Sequence, residues 1–147
     1  MSENNKILVI GSDHAGYKIK EEIKQYLLLN GYKVNDFGTF SEESVDYSDY
    51  AHLVARDIND NYNHIGILLC GSGNGVCMTA NKYQSIRAAL CWTIEVASLA
   101  RLHNDANVLC IPARFIDSEL AISIVTTFLN TRFEGGRHER RINKIPL

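Results

Sequence analysis

The sequence predicts an α/β fold: a three-layer α/β/α sandwich built on a five-stranded parallel sheet. Three observations carry this. Short apolar runs alternate about five times with longer segments of helical period, the pattern that gives a parallel sheet with helices on both faces. The apolar runs are continuous rather than alternating, as in strands buried on both sides. With 46% hydrophobic and 22% charged residues, the 147-residue chain can bury the core of one domain, 1–147, ending in a basic tail at about 131–147.

Lys6–Ile10 reads as the first strand, ended by Gly11. Ala15–Asn30 carries apolar residues at Ile19, Ile23, Tyr26 and Leu27, near helical spacing, and Gly31 stops it. Tyr32–Phe37 is the second strand, broken by Gly38. Thr39–Tyr50 is acidic and hydroxyl-rich and reads as a loop. Tyr50–Asn61 resumes helical period through Leu53, Val54 and Ile58. His64–Cys70 is the third and most apolar strand, followed by a glycine-rich stretch and a short helix to Asn81. Ile86–Cys91 is the fourth strand. Thr93–His103 is the next helix, with Thr93 as N-cap and Glu95 in the first turn. Asn107–Ile111 is the fifth strand, ended by Pro112. Asp117–Asn130 is the last long helix, capped by Asp117 or Ser118.

Several function classes are excluded early. A net charge of −2 gives no pull toward nucleic acid or anionic membrane. The polar Ser2–Lys6 lead and the short Ile7–Ile10 run do not make an export signal, and no stretch reaches membrane-span length. The four cysteines, Cys70, Cys77, Cys91 and Cys110, then default to free thiols in a cytoplasmic protein. They contain no C-x-x-C pair, which argues against structural zinc.

Ligands of open parallel sheets bind beyond the carboxyl ends of the strands, so the chemistry is sought there. After the first strand stand Asp13 and His14, either a helix cap with a surface neighbour or a polar pair aimed into the crevice. After the third comes Cys70-Gly71-Ser72-Gly73-Asn74-Gly75. Alternate glycines at such a turn let backbone N–H groups converge on one negative charge. The spacing is neither a P-loop nor a dinucleotide fingerprint. Cys70 faces those amides, which favour its thiolate, and Ser72 adds a hydroxyl. Cys77, Cys91 and Cys110 lack that setting and read as core fillers. His103 and Asn104 end a helix, as a cap or as acid–base chemistry. In the tail, Arg137 and Arg141 are four apart, so one helical turn stacks them on one face. Two guanidiniums so placed suit a phosphate; a solvated basic tail is the alternative. The interleaved Glu134 and Glu139 and the lack of stacking aromatics argue against nucleic acid.

Six fragments in order, G-S-D-H-A-G, V-D-Y, C-G-S-G-N-G with A-N-K, I-R-A, R-L-H-N-D-A-N and E-G-G-R-H-E-R-R, closely resemble ribose-5-phosphate isomerase type B, over Ile7–Arg141. That family also holds galactose-6-phosphate and allose-6-phosphate isomerases. The resemblance implies a Rossmann-like sandwich that forms a homodimer, or a tetramer, with sites built from both subunits. It implies interconversion of ribose 5-phosphate and ribulose 5-phosphate, a step of the non-oxidative pentose phosphate pathway, without metal or organic cofactor. Cys70 would move the proton between C1 and C2. The Gly71, Gly73, Asn74 and Gly75 region, with Ser72, would hold the enediolate oxygen. His103 would assist ring opening, Asp13 would bind sugar or ring oxygens, and Asn104 and Tyr47 would contact the substrate. Arg137 and Arg141, with His14 and Arg114, would hold the phosphate.

The chain departs from the family pattern where Ser72 replaces the frequent threonine, keeping the hydroxyl, and where Ser48 replaces a frequent proline. Some members use a glutamate near Gly75 or Val76; no acid stands there, which leaves Cys70 as the base. Three other readings compete: a cysteine nucleophile with His103 and Asn104 in a hydrolase-like triad, a non-catalytic nucleotide-binding module, and a metal-dependent isomerase using Asp13, His14 and His103.

Overall fold

The computed structural model of the chain describes residues 5–147; the polar lead Ser2–Asn4 lies outside them. Five parallel strands form one sheet: β1 (Ile7–Ser12), β2 (Lys33–Asp36), β3 (Ile65–Cys70), β4 (Ala88–Leu90) and β5 (Val108–Pro112), in the order β2-β1-β3-β5-β4. The helices are α1 (Tyr17–Leu29), α2 (Tyr47–Asp60), α3 (Asn74–Ala80), α4 (Ile94–Asn104), α5 (Ser118–Asn130) and α6 (Arg137–Ile142). Among the described residues no helix is long and apolar enough to cross a membrane.

Strand alternation divides the core in two. Leu8, Ile10, Ile67, Leu69, Leu109 and Ile111 face α1, α4 and α5. Val9, Leu68, Cys70, Val108 and Cys110 face α2 and α3. Three layers result, because each helix buries one apolar stripe against one sheet face. The predicted caps of the later helices are present: Thr93 accepts a hydrogen bond from Val96 N–H, and Asp117 from Leu120 N–H.

Some boundaries differ from the sequence reading, each for a physical reason. β4 is three residues rather than six and only half-buried, because it is an edge strand paired on one side with β5. α2 begins at Tyr47, so part of the expected loop is helical, with Asp49 in the first turn facing the positive end of the helix dipole. α1 begins at Tyr17; the residues before it form turns in which Asp13 accepts the Gly16 N–H at 3.1 Å.

The topology fixes where a site can sit. The chain leaves β1 toward β2, then crosses back to β3 on the other side of β1, so β1 and β3 bracket a switch point. Ser12 is in register with Leu69, and Cys70 with Pro112, so the carboxyl ends of β1, β3 and β5 are level.

Candidate active site

At the switch point the three strand ends are stitched together by backbone. Asp13 N–H donates to Leu69 O at 3.2 Å, Ala113 N–H to Cys70 O at 2.9 Å, and Arg114 N–H to Gly71 O at 3.0 Å. Above these bonds lies a depression of about 510 Å3 lined by Asp13, Tyr47, Cys70, Gly71, Ser72, Asn74, Gly75, Met78, Arg114 and Phe115. That volume suits a small polar ligand.

Its floor depends on two glycines. Gly73 turns the chain at φ +76°, a conformation that costs a side-chain-bearing residue energy, and an added Cβ would stand 2.4 Å from Leu90. At Gly75 an added Cβ would meet the Tyr47 ring at 2.4 Å, so the aromatic ring lies flush on the loop. Between them α3 begins at Asn74, where first-turn N–H groups have no partner within the helix. Ser72 Oγ accepts the Asn74 N–H at 3.3 Å, which leaves the hydroxyl proton free to donate.

Cys70 sits on this floor, 4% exposed. Arg114 reaches across Gly71, whose added Cβ would stand 3.2 Å from the guanidinium, and it has no carboxylate partner among the described residues. Asp13 is buried at the rim; its local bond to Gly16 and its place in the lining make both sequence readings compatible. His14 is half-buried just outside. Its Nδ1 accepts the Val45 N–H at 3.1 Å, which puts the ring proton on Nε2. Met78 and Phe115 were not anticipated as lining. Their signal was available: Met78 is one turn on from Asn74, and Phe115 follows Arg114 in the loop after β5.

The remaining predicted residues lie at the other pole of the same chain. α4 runs back from the carboxyl end of the sheet, so His103 and Asn104 finish at its amino end. There the Asn104 carbonyl accepts from Arg87 Nε, the residue before β4. A five-residue strand separates the poles by roughly 15 Å, so His103 cannot reach Cys70 within one chain. This removes the single-chain triad and the Asp13–His14–His103 metal set. Around His103 the structure gathers the tail. Glu134 N–H donates to Leu102 O at 3.1 Å, and the His103 and His138 rings stack at 4.2 Å with an 11° tilt. Arg137 and Arg141 are exposed one turn apart on α6. Burial, together with the charges of His103 and Arg137, holds the His138 imidazolium below its ordinary range, against a smaller opposing pull from Glu134.

The other thiols separate chemically. Burial, with Cys77 nearby, pushes Cys91 up to about 12. Burial and the hydrogen bond to Cys77 push Cys110 well up. Cys77 is held below the usual thiol range by that same bond from Cys110, which outweighs its burial, with a contribution from the Leu90 amide. At pH 8 a thiol of pKa 12 is about one part in ten thousand thiolate. Iodoacetamide on the native protein at that pH is therefore expected to label Cys77 and to spare Cys91 and Cys110. Peptide mass spectrometry checks this; labelling of Cys91 before unfolding would contradict it.

Comparison with known proteins places nearly the whole chain in one family. The Ribose/Galactose Isomerase family model matches residues 8–145. Ribose-5-phosphate isomerase B of Escherichia coli is 42% identical over 140 residues, covering 95% of this chain and 94% of its own. The crystal structure of a ribose 5-phosphate isomerase from Thermotoga maritima superposes with a TM-score of 0.94 at 55% identity, covering 96% and 97% of the two chains. Ribose-5-phosphate isomerase B from Mycoplasma genitalium, solved with bound ribulose-5-phosphate, superposes at 0.92 with 45% identity, covering 95% and 93%. With a family model spanning nearly its whole length, this chain belongs to the ribose/galactose isomerase family.

Proposed function

We propose that the protein interconverts ribose 5-phosphate and ribulose 5-phosphate through an enediolate, with Cys70 as the general base. The observation that carries this is Cys70 on the floor of the strand-end depression, directly before the turn whose amides open α3. Isomerisation beside a carbonyl needs a base near C1 and C2 and donors for the oxygen that becomes negative. The thiolate takes the C2 proton of the open-chain aldose to form the enediolate and returns it to C1, while the O2 hydroxyl proton passes to O1 and leaves the carbonyl at C2. The Gly71–Gly75 amides and the Ser72 hydroxyl hold the developing oxyanion, and such a preorganised donor lowers the barrier by about 3–4 kcal/mol. Asp13 and Tyr47 contact the sugar. No metal enters this scheme, since the amides supply the electrophilic stabilisation.

The protein acts as a homodimer with composite sites. Two features support this. Phe115, Met78 and Tyr47 are 76%, 67% and 44% exposed at the mouth, and Trp92 and Ile94 are exposed at the same end of the sheet, more apolar surface than a lone site wants in water. The phosphate-suited arginines stand at the opposite pole. A two-fold dimer that sets one subunit's tail pole on its partner's depression solves both problems, twice over. His103 and Asn104 then reach the sugar from the partner side, His103 assisting ring opening. Arg137 and Arg141 meet the phosphate together with Arg114 and His14 Nε2–H. Four free cysteines support a reducing, cytoplasmic setting.

The test is turnover of purified protein with ribose 5-phosphate, and with allose and galactose 6-phosphates, before and after EDTA. Pentose isomerisation that survives chelation is the expected result. Activity that vanishes with EDTA and returns with added metal would defeat the scheme.

A further inference from the structure

His138 has a feature the isomerase scheme does not use. It is 5% exposed, yet its Nε2 has no hydrogen-bond partner among the described residues. A buried ring nitrogen left unpaired is unfavourable unless a further group completes it. Glu134 Oε1 is the nearest candidate, at 3.8 Å, too long for a hydrogen bond. The His103 ring stacks on that of His138 at 4.2 Å. One nitrogen from each histidine and one oxygen from Glu134 all lie within 4.8 Å of one another.

We propose that His103, Glu134 and His138 bind a borderline divalent cation of the zinc class, and that its occupancy withdraws His103 from the isomerase site. Two imidazoles and a carboxylate are a donor set that such ions take, with a fourth position left to water. Each histidine supplies a ring nitrogen, and Glu134 is half-exposed on a movable side chain, able to close the 3.8 Å gap. Parallel rings cannot both point at one ion, so binding turns the His103 ring out of the stack. Glu134 is held in place through its own backbone, by the bond to Leu102 O. Arg137 and Arg141 oppose a dication there, which makes the site a reversible, inhibitory one rather than a structural one. The inhibitory half of the proposal rests on the role given to His103 above; the binding half does not.

The experiment uses Co2+ and Zn2+ on the full chain and on Glu134→Gln, an exposed position outside the proposed catalytic machinery. His138→Gln is a second variant. Expected results are one Co2+ per chain, with visible d–d absorption and no thiolate-to-cobalt charge-transfer band. Zn2+ inhibition should be reversed by EDTA. Glu134→Gln should keep its metal-free rate while losing metal affinity by more than about tenfold, since even outer partners of ligands are worth that much. Three results overturn the site: no binding, binding unchanged in both variants, or a charge-transfer band that reports capture by Cys70. Glu134-dependent Co2+ binding that leaves turnover untouched would keep the metal site and instead overturn the role of His103 in ring opening.

Discussion

Cys70→Ala is expected to lower kcat by about 10^2–10^4-fold, the range a positioned acid–base group contributes, with KM little changed. Cys70 is small and buried at the floor of the depression, and the proposed scheme assigns the phosphate to arginines elsewhere. Deleting the thiol thus removes an interaction needed in the transition state and leaves ground-state binding intact. Steady-state kinetics with ribose 5-phosphate measures this; an alanine variant that keeps most of its rate would assign the base elsewhere. The same variant probes the composite site. Mixed with His103→Ala after reversible dissociation, it is expected to recover about one quarter of the wild-type rate, because half the dimers are mixed and each holds one site with both residues. Two inactive variants that re-pair without regaining activity would count against the shared site.

Much of this frame was legible in the chain itself. The strands were readable because β1, β3 and β5 are buried on both faces and so are written as unbroken apolar runs. The weakest assignment was β4, whose exposed edge relaxes the demand for apolar residues. Strand order was not legible, because the side to which a crossover turns leaves no local mark. At the site, the Cys70–Gly75 turn announced itself, since such glycine spacing has few other uses. The location of His103 was different. Its motif was visible, but its distance from Cys70 follows only once α4 is known to return antiparallel to the sheet.

Lys20 was the clearest miss. Helical period on α1 gives Lys20, Ile23 and Leu27 one shared stripe, yet a lysine on that stripe reads as the edge of the polar face. In the structure its side chain is wholly buried, with Nζ 2.6 Å from Asp36 and 2.8 Å from Glu21, beneath the Tyr17 and Phe40 rings. No pattern in α1 encodes this, because the partner that makes it tolerable ends β2, sixteen residues away.

Asp36→Ala is therefore expected to destabilise the fold by about 3 kcal/mol, the lower end of the 3–5 kcal/mol cost of leaving one partner of a buried pair uncompensated. Glu21 remains as a partial, more exposed counter-ion, which keeps the loss from the upper end. The double change Lys20→Met with Asp36→Ala removes both charges and should recover most of the loss, since apolar replacement of a buried pair is often neutral. Urea unfolding at matched protein concentration measures both variants, with an unchanged slope required for the comparison; a fully exposed, unimportant pair would give less than about 1 kcal/mol. The pH dependence has a fixed sign. Burial pushes the Asp36 carboxyl up, but hydrogen bonds from Lys20, Lys24 and the Gly38 N–H outweigh it and hold the group below its ordinary range. Its stabilising effect is thus complete above the unfolded carboxyl range and is lost as pH falls through the lower native value. The effect also reaches the site. Asp36 holds the Gly38 N–H at 2.9 Å, the Gly38 carbonyl accepts the Ser12 N–H at 2.7 Å, and Ser12 immediately precedes Asp13. Loss of Asp36 should thus loosen the β1 rim of the depression as well as the fold, whereas the double variant regains stability but not this hydrogen bond, so its KM for ribose 5-phosphate should remain raised.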